Sequence, residues 1–265
     1  MNRTELLPDR PGIPPMAPLP EAETIDVATL SRALAAGEVD LVCVVGPTAS
    51  GKTRYAVSLA RELGGEILSA DSRQVYRGMD IGTGKDLGEY GDVPYHLIDI
   101  VPAGAKYNIY QYQEAFAAAW ADVRARGRVP ILCGGSGLYI EAATRAYKFE
   151  KGNGVPPSAL PSRPYYIGTL VTREERVARI DRRLEERLAE GLVEEVSGLL
   201  EQLSPEDLIY YGLEYKFVTL YLTGQLSYED MVIALGNAIH QFAKRQMTWF
   251  RGMERDGVPI HWTRV

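Results

Sequence analysis

The chain is poor in the residues that staple or metallate small proteins. Its 265 residues include two cysteines and three histidines. Cys43 and Cys133 lie in apolar runs, 41–45 and 129–133, where a free thiol behaves as a small buried hydrophobe. His96, His240 and His261 are scattered and show no ligand spacing. A disulfide framework and a structural zinc site are therefore excluded, and a reducing, cytoplasmic setting is expected. No run of about 18 apolar residues is present, so no membrane helix is expected. The N-terminus lacks the apolar core of a signal peptide. Charge of one sign is not in large excess: 29 Lys plus Arg stand against 35 Asp plus Glu, a net charge of −6. That balance disfavours a protein that coats nucleic acid non-specifically but is compatible with a local basic groove.

What is present is an ordinary globular composition, 46% hydrophobic, at a length that supports one large core. Prolines 8, 11, 14, 15, 18 and 20 mark residues 1–24 as a partly polyproline tail. Residues 25–265 then read as one catalytic domain, expected as a monomer. Helical spacing over 25–36 leads into the continuous apolar run 41–45, of the kind that forms a strand covered on both faces. A helix over 54–63, a strand over 66–69, a long glycine-rich loop over 72–94, a strand over 95–100 and a helix over 107–126 follow. Residues 129–133 give another strand, with a helix from Leu138. The stretch 151–164 is rich in Gly and Pro, and 165–171 is a further strand. From Thr172 the pattern is helical to near the end, with Ser227 and Asp230 marking one helix start. Strands alternating with helices predict an α/β fold: a P-loop-type parallel sheet flanked by helices, with a helical C-terminal layer.

The sharpest motif is Gly46-Pro-Thr48-Ala-Ser50-Gly51-Lys52-Thr53, which matches G-x-x-x-x-G-K-[ST] between an apolar strand and a helix. Its backbone N–H groups and the helix N-terminus suit a phosphate or diphosphate. Lys52 adds a point charge, and the Thr53 hydroxyl is placed to hold Mg²⁺. The motif does not say which phosphoryl compound binds, and a small-molecule kinase is its simplest reading.

Two further clusters sit at the ends of neighbouring strands, where open α/β sheets bind ligands. The run 69–78 gathers Asp71, Ser72, Arg73 and Gln74. Asp71 is its only carboxylate and thus the candidate general base, with a turn cap or a Mg²⁺ ligand as the other roles open to it. Gly134-Gly135-Ser136-Gly137 adds backbone amides and a hydroxyl.

Together these stretches resemble the P-loop dimethylallyl (isopentenyl) transferases that prenylate adenine. The resemblance is carried by 46–53, SADSRQVYRGMDIGT (69–83), HLIDI (96–100), PILCGGSGLY (130–139) and AKRQMTWFR (243–251), the last of the tRNA-modifying type. It implies transfer of a dimethylallyl group from dimethylallyl diphosphate to the exocyclic N6 amine of adenosine beside the anticodon in tRNA, with release of diphosphate. Asp71 would take the amine proton, and Lys52, the loop amides and Mg²⁺ on Thr53 would cradle the leaving diphosphate. Arg179 or Arg183, on an arginine-rich helix face, would reach the same group. Thr83 and Lys85 resemble further diphosphate or substrate contacts. Ser72, Arg73 and Gln74 resemble base-side contacts, Ser136 stands where the family usually has Thr, and Lys244, Arg245 and Gln246 would face RNA with Trp249 among them.

The chain departs from the family pattern in two further places. The helical insertion expected between the GGSGLY run and the arginine helix is absent or minimal, at 148–165, and Ile239-His240 replaces the usual Thr-Arg. The compact form and the acidic balance keep a free adenine nucleotide (AMP, ADP or ATP) as the alternative acceptor.

Overall fold

The computed structural model describes residues 19–145 and 154–265. Most of the expected tail, through residue 18, and residues 148–153 of the expected minimal insertion lie outside the described residues. In chain order, α1 (Val27–Ala35) leads into β1 (Leu41–Val45) and α2 (Lys52–Leu63). β2 (Gly65–Ser69) is followed by three two-residue strands, β3 (Tyr76–Arg77), β4 (Tyr95–His96) and β5 (Val101–Pro102). Next come α3 (Ile109–Ala125), β6 (Val129–Gly134), α4 (Gly137–Thr144) and β7 (Pro164–Leu170). The helical layer is α5 (Arg173–Ala189), α6 (Leu192–Leu200), α7 (Pro205–Tyr211), α8 (Leu213–Leu222) and α9 (Tyr228–Arg255), followed by β8 (Ile260–Arg264).

The main sheet has the order β4-β2-β6-β1-β7-β8, and every pairing is parallel. β1 lies between β6 and β7, and all five of its residues are buried, which explains its continuous apolar sequence. One core packs α1 and α2 on the sheet through Val44, Val57 and Ile131. The other joins the opposite face to α3, α4 and the C-terminal helices through Phe116, Leu132, Tyr215 and Phe250. Cys43 and Cys133 are both buried and unpaired.

Local sequence sets the helix starts. Asn108 with Gln111 and Thr172 with Glu175 form capping boxes on α3 and α5, and Ser227 caps α9 through the Asp230 amide. Each cap contributes on the order of 1 kcal/mol.

Two elements differ from expectation. The strand expected over 95–100 stops at His96, because Leu97 and Asp99 take left-handed conformations (φ +67° and +57°). Side chains hold this bend. Arg77 donates to the Asp99 and Ile100 carbonyls at 2.7 and 3.0 Å, and Lys85 pairs with the Asp99 carboxylate. Residues after α9, beyond the stretch read as helical, form β8, an edge strand beside β7. Five residues with both large and polar members give too little periodicity to reveal a strand.

Register aligns the strand ends that matter. Val45 lies opposite both Gly134 and Gly168, and Ser69 lies opposite Cys133. The loops leaving β1, β2 and β6 therefore emerge together at one edge of the sheet.

Candidate active site

The phosphate loop has an anchored half and an open half. Ser50 is fully buried, and its hydroxyl lies 2.7 Å from the Thr169 hydroxyl on β7. A Cβ on Gly46 would stand 2.2 Å from that Thr169 oxygen, so only glycine fits there. The Thr48 amide donates to Gln246 Oε1 at 2.8 Å, and Gln246 Nε2 donates to the Gly135 carbonyl at 3.0 Å. Gly46, Thr48, Ser50 and Gln246, all expected at a ligand, thus tie the loop to β7, β6 and α9.

Gly51, Lys52 and Thr53 form the open half and line a cavity of about 950 Å³. Arg179, Arg182, Arg183 and Arg187, all on α5, line it as well. With Lys52 and Arg54 they make six cationic side chains against four carboxylates, Asp86, Glu89, Glu186 and Glu190. A locally positive chamber thus forms in a chain of net negative charge. Burial holds the Lys52 ammonium below its ordinary pKa, and its Nζ rests 3.4 Å from the Pro47 carbonyl. An anion in the chamber would relieve that penalty. Arg183 is ion-paired with Asp86. Arg179 has no ion pair among the described residues, and its Nη1 lies 3.7 Å from the position of a Cβ on Gly51.

Asp71 follows β2 directly. Its Oδ1 accepts the Arg73 amide at 2.9 Å, the turn-cap contact its spacing allowed, and its other oxygen accepts no hydrogen bond among the described residues. The Ser136 hydroxyl accepts the Ser72 amide at 3.0 Å, joining this turn to the GGSG loop. Behind them Tyr112 and Tyr139 stack at 3.9 Å, and the Tyr112 hydroxyl donates to the Ser69 carbonyl at 3.1 Å. Burial pushes the Cys133 thiol up to about 11, so this neighbour of the loop is neutral at physiological pH.

Several predicted contacts have other partners. The Arg73 guanidinium pairs with Glu214 at 2.5 Å. Gln74 Nε2 donates to the Gly84 carbonyl at 3.1 Å. Thr83 and Lys85 are buried and absent from the cavity wall. The Thr83 hydroxyl bonds the Met79 carbonyl, and Lys85 Nζ holds the Tyr76 carbonyl at 2.6 Å and Asp80 at 2.7 Å. They build the long loop and do not face the chamber. Lys244, Arg245 and Trp249 are exposed on α9, while Phe250 is fully buried.

Sequence reasoning missed two carboxylates. Glu195 on α6 accepts three successive amides of the long loop, Asp80, Ile81 and Gly82, at 2.7–3.0 Å, and also the Tyr215 hydroxyl at 2.8 Å. Glu214 on α8 is 2% exposed and lies between Arg73 and Arg187. Glu214 alone carried a signal, as a lone carboxylate in the otherwise apolar start of a helix.

A family model described as IPP transferase matches residues 74–163 and 149–253, and one described as isopentenyl transferase matches residues 39–90. The chain is 48% identical to tRNA dimethylallyltransferase 1 of Porphyromonas gingivalis, over 84% of this chain and 93% of that protein. It is 46% identical to tRNA dimethylallyltransferase 1 of Parabacteroides distasonis, over 84% and 92%. The P. gingivalis alignment spans 280 positions, whereas 84% of 265 residues is about 223, so about 57 positions face no residue here. Among solved structures, the full-length tRNA isopentenylpyrophosphate transferase of Bacillus halodurans superposes with a TM-score of 0.76 at 30% identity, over 84% of this chain and 89% of that one. A eukaryotic dimethylallyltransferase acting on tRNA shares the fold, with a TM-score of 0.70 at 21% identity, over 79% and 69%.

Proposed function

The chain belongs to the IPP transferase family, and from that premise we propose that it transfers a dimethylallyl group from dimethylallyl diphosphate to N6 of the adenosine beside the anticodon in tRNA. The observation that carries the reading is a single carboxylate, Asp71, at the same sheet edge as a cationic phosphate chamber. A kinase needs the chamber to present a phosphoryl group for attack. In the transferase the chamber holds the leaving group.

In the reaction, the adenine N6 nitrogen bonds to C1 of the donor as the C1–O bond breaks, and the electron pair leaves with diphosphate. The amine is a weak nucleophile because its lone pair is delocalised into the ring. Asp71 accepts the proton it loses, and the Arg73 amide on Oδ1 fixes the carboxylate plane. Negative charge grows on the diphosphate, where Lys52, Arg179 and the amides of the open half of the loop meet it. Arg183, paired with Asp86 and lining the same chamber, adds a further cation.

The residues present fit a Mg²⁺ that arrives with the donor. Among the described residues no group of three His, Cys, Asp or Glu side chains forms a metal cage. The chamber offers the Thr53 hydroxyl and the carboxylates Asp86, Glu89, Glu186 and Glu190, and Mg²⁺ is commonly held by few protein groups plus phosphate oxygens. When bound, the ion would neutralise charge on the departing diphosphate.

On the acceptor side, Lys244, Arg245 and Trp249 give α9 a basic and aromatic surface suited to a splayed RNA loop. Among the described residues no helix is long and apolar enough to cross a membrane. The test is nucleoside analysis of unmodified tRNA after incubation with enzyme, Mg²⁺ and the donor. N6-dimethylallyladenosine beside the anticodon is the expected product, and its absence with a folded enzyme contradicts the reading.

A further inference from the structure

Arg73 and Asp71 are two residues apart, and each raises a question about the other. A guanidinium this close to a general base would be expected to pair with it, which would lower its basicity and occupy the oxygen that must receive a proton. No such pair is present. The Asp71 carboxylate acts on the Arg73 guanidinium through space, yet the only ion pair of Arg73 among the described residues is with Glu214, at 2.5 Å. The ring of Phe242 on α9 lies 5.6 Å from the Arg73 guanidinium carbon and supports this orientation. Glu214 itself is fixed from a second side by Arg187 at 3.1 Å. Arg187 in turn packs against the long loop, where a Cβ on Gly84 would stand 1.8 Å from its Nη2.

Resting on the function proposed above, we infer that Glu214 is a positioning residue for the reaction: its buried carboxylate draws the Arg73 guanidinium off Asp71 while the Arg73 amide stays on Asp71 Oδ1. One residue is thereby used in two opposite senses. Its backbone orients the base, and its charge is led away from it. The arrangement also explains a carboxylate at the start of α8 that is almost wholly buried, a placement that is unfavourable unless its partners are essential.

The account separates Glu214 from an ordinary structural ion pair. With Glu214→Gln, Asp71 is left as the carboxylate that acts on Arg73. Turnover at saturating donor and tRNA then falls at least tenfold, while donor binding, measured with labelled dimethylallyl diphosphate, changes less than threefold. Removing the competing cation as well, in the double variant Arg73→Met with Glu214→Gln, recovers most of the lost turnover. Glu214→Asp, which keeps the charge but withdraws it by one methylene, shows a smaller fall in the same direction and carries the test if Glu214→Gln does not fold; Arg73→Met in that background again recovers turnover. A fall that the Arg73 change does not relieve, or one that appears in donor binding, overturns the inference. Wild-type transfer to tRNA is the control: if it is absent, the functional reading fails, whereas intact wild-type transfer without rescue overturns only the role of Glu214.

Discussion

Gln246 clamps Thr48: the Thr48 amide of the phosphate loop donates to Gln246 Oε1 at 2.8 Å, while the other end of the same side chain holds the Gly135 carbonyl at 3.0 Å. Helix α9 thus fastens two ligand-facing loops with one amide. Gln246→Ala leaves both backbone groups without this partner. It is expected to cost about 1–3 kcal/mol of stability and to weaken donor binding, read by thermal unfolding and donor titration. Gln246→Glu keeps the acceptor and loses the donor, and should fall between the two. Unchanged unfolding and donor affinity in Gln246→Ala would contradict the clamp.

Asp71→Asn removes the proton acceptor and little else, since an amide oxygen can still take the Arg73 amide. Turnover should drop by about 10²- to 10⁴-fold, the usual contribution of a general base, with donor affinity preserved. Pre-steady-state transfer with excess enzyme checks this directly. An undiminished single-turnover rate would assign Asp71 to the turn alone.

Arg179 and Arg183 line one chamber but differ in their partners. Arg179→Ala removes an uncommitted cation beside Gly51 and should weaken donor binding by about 10- to 100-fold, the value of one charge-assisted contact. Arg183→Ala also releases the Asp86 carboxylate into the chamber. It should therefore weaken the donor and increase the dependence on Mg²⁺. Equal effects of the two at all Mg²⁺ concentrations would remove this distinction.

Glu66 on β2 is buried and takes Arg126 and His96, the latter at 2.7 Å. The hydrogen bond from Arg126 is the main cause that holds its carboxyl below the ordinary value, and the bond from His96 adds to it. A lowered folded pKa contributes stability that is complete above the unfolded value of about 4.5 and is lost as pH falls through the folded value. Glu66→Gln should therefore be destabilised relative to wild type by about 1–3 kcal/mol at neutral pH. The gap should close as pH falls through the folded value. Denaturant unfolding of both proteins across that range tests it, and a gap that is constant with pH would contradict the linkage.

The parallel sheet was legible because its central strand is apolar throughout and its loops carry glycine at the strand ends. Local chemistry predicted the α5 and α9 starts for the same reason: caps act within four residues. The site was only half legible. Motif spacing pointed to Lys52 and Thr53, within the β1–loop–α2 unit, and to Asp71, just after β2. It gave no access to side chains whose partners are distant in sequence. Arg73 and Glu214 are 141 residues apart, and Thr48 and Gln246 are 198 apart. The arginines of α5 alternate with carboxylates along the chain, and only the packed helix separates those that face the chamber from those in solvent.

The most direct measurement follows both products of one reaction. Enzyme, Mg²⁺ and dimethylallyl diphosphate labelled in the allyl group are supplied with unmodified tRNA, AMP and ATP together. The account predicts label in tRNA at the adenosine beside the anticodon, one diphosphate released per label, and ATP intact. Label in AMP with none in tRNA, or phosphate moved from ATP without label transfer, would contradict it.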